Sequence, residues 1–147
     1  MDTPVSFEIA KLLKEKGFDI PTFYYYEDEK LVEPYLENGS STDVEFRVDL
    51  SDLKEHFNKW SKKISAPTII EVIMWMYKKH EIWTEVYPRE FKELNLMWSY
   101  TLTKIESTYT INGIEFPDIE KPDDIPTWKS LTEAYEAAIN YILNNLI

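Results

Sequence analysis

The chain has no cysteine among its 147 residues, which removes disulfides, zinc–thiolate sites, iron–sulfur clusters and thiol nucleophiles. Glycine occurs only three times. Neither a phosphate-cradling P-loop nor the dinucleotide fingerprint can be written with so few. There is no GxSxG, no HExxH and no EF-hand loop. Bases are few as well: 16 against 27 acids, leaving a net charge of −11. Such a field repels phosphate backbones, so generic nucleic-acid binding is not expected. It suits solubility or a basic partner. No apolar run approaches the length of a membrane span, and "MDTPVSFEIAKLLKEKGF" lacks a basic segment followed by a continuous apolar one. The expectation is a soluble cytoplasmic protein without signal peptide or membrane association.

What the chain does have is apolar surface. Hydrophobic residues make up 44% and aromatics 15%, enough for a folded core in a single α+β domain spanning residues 1–147. "TPVSFEIAKLLKEKG" reads as a first helix capped at Thr3 or Ser6, with Pro4 in the first turn and Gly17 as the left-handed terminator. "TFYYYEDEKLVEPYLE" reads as a hairpin turning at "EDEK", with Pro34 marking an edge or an end. "NGSSTD", residues 38 to 43, is a loop too short to separate two domains. "VEFRVDL" alternates as a strand, and "SDLKEHFNKW" spaces Leu53, Phe57 and Trp60 as a short helix.

"ISAPTIIEVIMWMYKKHEI" is the most structured stretch. Thr68 and Glu71 form a capping box, and Lys78, Lys79 and His80 suit the negative end of a helix dipole. Ile69, Val72, Ile73 and Met76 make one apolar face; Ile70, Met74 and Tyr77 make another, with Trp75 between. A helix apolar on so many sides is expected to be buried on more than one. "EIWTEVYP" and "LMWSYTLTKIE" follow as strands, joined through "REFKELN". The apolar phase change after Leu102 suggests a bulge near Lys104. Asn112-Gly113 in "TYTINGIEF" signals a type I′ hairpin turn. "PDIEKPDDIP" is an acidic loop. Ser130 and Glu133 cap a last helix expected to bury Leu131, Ala134, Tyr135, Ala138, Ile142 and Leu146.

The expected architecture is thus α+β: three main helices, near residues 4–16, 68–80 and 131–146, packed on a mostly antiparallel sheet of about five short strands. Candidate chemistry is sparse. His56 and His80 are the only imidazoles, and each sits on a polar, lysine-rich stretch without a second ligand beside it. The acidic groups Glu27-Asp28-Glu29 and Asp118, Glu120, Asp123, Asp124 lack calcium-loop spacing. No catalytic, cofactor-binding or metal-ligating residue is nominated, and no cofactor is called for. Trp83, Trp98, Tyr100 and Tyr109 on neighbouring strands form the one candidate binding surface, with Tyr24 to Tyr26 able to join it. Core packing is the favoured reading of these rings, and a partner surface the second.

The blocks "VSFEIAKLLKEKGFD", "SAPTIIEVIMWMYKKHEI" and "EAYEAAINYILNNLI" together resemble small proteins of phages and prophages from gut bacteria. They cover roughly a third of the chain and consist of helix-forming residues; "VEFRVDLSDLKEHFNKW" lies outside the likeness. The resemblance brings no assigned activity and no functional residue. The best reading of the sequence as a whole is a non-enzymatic accessory protein of mobile-element origin that acts by binding, with protein as the expected partner. A small-molecule or nucleotide-sequestering protein is the alternative reading, and an enzyme the third.

Overall fold

The computed structural model describes residues 3–33, 54–90, 96–106, 110–114 and 127–147. It divides into two compact units, Asp2–Thr68 and Ile69–Ile147. The division falls between Thr68 and Ile69, not at residues 38 to 43, which lie outside the described residues together with Pro34, "VEFRVDL" and "PDIEKPDDIP".

The N-terminal unit begins with helix α1, Phe7–Glu15, which buries Ile9, Ala10 and Leu13. Ser6 holds the N-cap position in extended backbone but makes no side-chain cap bond. Pro4 lies ahead of the helix, not in its first turn, opposite Thr68 in an isolated bridge. The helix ends as its sequence requires. Gly17 adopts φ 76°, its N–H reaches the Lys14 carbonyl (3.2 Å), and the Phe18 N–H reaches that of Leu13 (2.9 Å). This is a Schellman motif, with Phe18 buried against the closing turn.

Strands β1, Tyr24–Glu27, and β2, Lys30–Val32, form the expected hairpin. Its two-residue turn is Asp28-Glu29, at φ 49° and 64°. Both values are left-handed, which makes this a type I′ turn built without glycine. A further strand, β3, Lys63–Ala66, pairs antiparallel on the other side of β1, giving the order β2-β1-β3. Sequence pattern does not place β3, because four residues ahead of Pro67 carry little periodicity.

The helix expected over "SDLKEHFNKW" shrinks to one 3-10 turn, Phe57–Lys59. Glu55 exchanges both backbone bonds with Thr22 at 3.0 Å, which holds the chain extended just before that turn. Asn58 then ties the unit together: its amide donates to the Phe18 carbonyl (3.0 Å) and its oxygen accepts the Ser65 N–H (2.9 Å). Tyr25 stacks on Phe57 with centroids 4.4 Å apart, and the Lys63 ammonium lies 4.3 Å over the Tyr25 ring. The Tyr26 hydroxyl, buried, donates to the Val5 carbonyl at 2.9 Å.

The C-terminal unit holds helix α2, Ile69–His80, strands β4, Ile82–Glu90, β5, Leu96–Glu106, and β6, Thr110–Ile114, and helix α3, Leu131–Asn145. The strands form a second antiparallel sheet, ordered β4-β5-β6. The architecture is therefore α+β, but with two three-stranded sheets in place of one sheet of about five strands.

Two local expectations fail here. Asn112 and Gly113 pair with Lys104 and Thr103 inside β6, whose register to β5 ends at the Glu106–Thr110 pair, so they are not the turn. Pairing along the long β5 strand outweighs a local turn preference. Nor is there a bulge at Lys104. The register to β4 runs unbroken from Glu90–Leu96 to Ile82–Lys104, and that to β6 from Leu102–Ile114 to Glu106–Thr110. The change of apolar phase marks the point where β5 leaves one neighbour and continues with the other.

Helix α2 packs on β4 and α3, and α3 packs on β4 and β5. Val72, Ile73, Trp75 and Met76 are buried. Helix α3 keeps its cap: the Ser130 hydroxyl accepts the Glu133 N–H at 3.1 Å, while the Glu133 carboxylate accepts the Lys129 N–H, one residue earlier than a reciprocal box requires. Its buried stripe is Ala134, Ala138, Ile139, Ile142 and Leu143. Leu131, Tyr135 and Leu146 are only half-buried, so the stripe is rotated from the expected one.

The junction between α2 and β4 is a single residue. Glu81 stands at φ 58° and its N–H closes on the Tyr77 carbonyl at 3.1 Å. A side chain at left-handed φ costs about 1–2 kcal/mol, partly offset in a glycine variant by greater freedom of its unfolded chain. Glu81→Gly is expected to raise stability by about 0.5–1 kcal/mol in chemical denaturation. Ile73→Ala and Met76→Ala, both inside the core, are expected to lower it by about 2–5 kcal/mol each; an unchanged melting midpoint would contradict their placement.

Candidate interaction surface

The antiparallel register sorts the aromatic residues of the second sheet by face, since directly paired residues point the same way. Ile82, Thr84, Val86 and Pro88 of β4 lie opposite Lys104, Leu102, Tyr100 and Trp98 of β5. Ile82, Thr84, Leu102 and Tyr100 are buried on that face. Trp83, Glu85 and Tyr87 point to the other, opposite Thr103, Thr101 and Ser99. On this side Trp83 and Glu85 are exposed, Thr101 and Thr103 half-buried and Ser99 buried.

Of the four rings named as a possible binding surface, with core packing the favoured reading, the three described ones do not share one exposed face. Tyr100 is buried, and its phenol is pushed upward in pKa, first by burial and then by the nearby Tyr141 phenol. Trp98 is half-buried and exchanges backbone bonds with Trp128 at 2.8 and 2.9 Å, extending the sheet by one bridge. The Trp128 ring lies 5.0 Å from that of Tyr100. Tyr109 lies outside the described residues. Tyr25 and Tyr26 are buried in the N-terminal unit. Trp83 alone of the described candidates is solvent-exposed.

Trp83 is not isolated, however. Its ring meets Tyr77 edge-on at 5.5 Å, and its indole N–H points to the Glu85 carboxylate at 3.3 Å. Tyr77 continues along α2 to Met74 and Ile70, three positions at i, i+4 and i+7 that share one helix face. Ile70 is 41% exposed, Tyr77 39% and Trp83 38%; Met74 is half-buried. The second apolar face of α2, expected to be covered, is thus open. The helix packs on β4 and α3, and among the described residues no ring or hydrogen-bond partner other than Trp83 is seen against the side chains of this line. Sequence periodicity identifies the line; only the packing decides that it stays in solvent.

The titratable groups do not suggest chemistry. His56 precedes the 3-10 turn of the N-terminal unit, and His80 closes α2 in the C-terminal one. Among the described residues no three His, Asp or Glu side chains gather as a metal site. Glu27, Asp28 and Glu29 form the tip of the β1–β2 hairpin, and Asp118 to Asp124 lie outside the described residues. No described helix is long and apolar enough to cross a membrane. Comparison of the chain with protein-family models, curated proteins and solved structures finds no match.

His80 departs from the expected exposed helix-end cation. Its ring packs edge-on against Trp75 at 4.7 Å, and its buried Nε2 has no hydrogen-bond partner. Burial, then the Lys79 and Lys104 ammonium groups, hold its pKa below the ordinary 6.5. The folded state therefore favours neutral imidazole, and the unfolded chain binds the proton first as pH falls. The stabilising contribution is complete above about pH 6.5 and declines as pH drops toward the folded-state value. Wild type should lose more stability between about pH 7.5 and about pH 5.5 than His80→Gln in urea titrations. Equal losses would mean that His80 takes up its proton freely in the fold.

Proposed function

We propose that this chain is a non-enzymatic accessory protein of phage or prophage origin that acts by binding another protein. The line formed by Ile70, Met74, Tyr77 and Trp83 carries the binding part of this reading. Single exposed apolar residues are common on protein surfaces, but three exposed ones, Ile70, Tyr77 and Trp83, with half-buried Met74 on the same helix face, are less so. Aromatic anchors of this type supply much of the binding energy at protein interfaces. The origin rests on the likeness of the three helix-forming blocks alone.

The test is selection from a random peptide library. Selected peptides should bind wild type and lose about tenfold or more in affinity toward Ile70→Glu and Trp83→Ala, a loss of about 1.4 kcal/mol. Both variants should stay folded with a stability loss of about 1–2 kcal/mol, because the altered side chains are only two-fifths exposed. Peptides that bind both variants undiminished would refute the assignment of this surface.

A further inference from the structure

Granting the protein-binding reading above, we infer that the segment seated on this stripe is a short, basic amphipathic helix of a partner protein. Three features of the stripe select that occupant over a second copy of the chain. The first is size. Roughly two-fifths of Ile70, Tyr77 and Trp83 remains exposed, and large side chains of this kind each bury about 150–250 Å² when fully covered. The three thus offer roughly 180–300 Å², well short of the ~800 Å² that each partner contributes to a stable dimer. A single peptide element fits that extent better than a folded subunit.

The second feature is shape. Ile70, Met74 and Tyr77 occupy positions i, i+4 and i+7, a row of about 10 Å along the helix axis at 1.5 Å per residue. A partner helix presents its own anchors at the same spacing, so the two rows can lie side by side. Trp83, held edge-on against Tyr77, closes one end of the row as a wall.

The third is charge. The chain carries −11, a field that opposes self-association and draws cationic segments. The Glu85 carboxylate accepts from the Trp83 indole N–H at 3.3 Å, and Glu81, two residues before Trp83, is exposed, as is Lys78 next to Tyr77. Lys79 is directed elsewhere, over the Trp75 ring at 5.3 Å. A helix with leucines on one face and lysines on the other meets both the apolar row and the acidic margin.

The experiment titrates two synthetic helical peptides into the full chain: one with leucine on one face and lysine on the other, and its leucine–glutamate counterpart. The readout is the indole N–H signal of Trp83, assigned by its loss in Trp83→Phe. The leucine–lysine peptide should shift that signal saturably, with at least tenfold higher affinity than the leucine–glutamate peptide. Ile70→Glu separates an apolar seat from simple attraction, since it adds negative charge while removing an anchor. It should weaken the leucine–lysine peptide by tenfold or more. Equal or tighter binding to Ile70→Glu would overturn the proposal, as would comparable binding of the two peptides. A wild-type dimer in sedimentation, dissociated by Ile70→Glu, would overturn it in favour of self-association. Library-selected acidic or neutral peptides that still depend on Ile70 and Trp83 would refute the basic helix while leaving protein binding intact.

Discussion

Helix α2 carries apolar side chains around most of its circumference, and the C-terminal unit is arranged by the need to hide them. Packing on β4 and α3 accompanies the burial of Ile69, Val72, Ile73 and Met76. Trp75 is buried beside His80. Covering one more face would require another element packed along Ile70, Met74 and Tyr77. The stripe is therefore what remains exposed of a packing problem that the described elements of this unit solve on two sides. Its position is fixed by the same solution, because rotating α2 to bury Ile70 would expose Val72 or Met76 at a cost of about 1.5–3 kcal/mol per side chain.

The one-residue junction at Glu81 transmits this constraint to the sheet. Its left-handed backbone turns the chain from helix to strand within one residue, so Ile82 enters the core directly and Trp83 faces the other way. Alternation along β4 then decides which aromatic stays outside. Trp83 falls beside Tyr77 because the last turn of α2 and the start of β4 are joined so closely. The polar costs concentrate nearby: the Thr84 hydroxyl and the His80 Nε2 are both buried without hydrogen-bond partners. An unsatisfied buried group costs about 1–3 kcal/mol. The corner around residues 75–84 is thus held by apolar packing against local polar strain.

The parts of this fold governed by local chemistry were legible in the sequence. Gly17 terminates α1, Ser130 caps α3 through the Glu133 amide, and the apolar period locates α2 to within a residue. The parts governed by pairing between distant segments were not. Asn112-Gly113 has the composition of a turn and lies in a strand, since register with β5 is set over many residues at once. The strands divide between two sheets because partner choice depends on three-dimensional assembly, which periodicity does not encode. Likewise, Trp83 and Tyr100 both look like strand aromatics, yet one register assigns them to opposite faces. The candidate surface was half legible: Trp83 could be named, while Ile70, Met74 and Tyr77 were visible as a face but read as buried.

An exposed stripe is useful for binding only if its side chains are already ordered. Each rotamer-rich side chain immobilised on association costs about 0.5–1.5 kcal/mol, so anchors fixed in advance retain more of their contact energy. Trp83 is braced from two directions, by the Tyr77 ring and by the Glu85 carboxylate. Tyr77 sits on the last turn of a helix whose opposite face is locked into the core. Tyrosine and tryptophan add large contact area with few rotatable bonds. The same packing that leaves these residues uncovered therefore also holds them in place. That combination of exposure and rigidity distinguishes the stripe from Trp60, which is 60% exposed in the N-terminal unit but stands beyond a single 3-10 turn with no described ring against it.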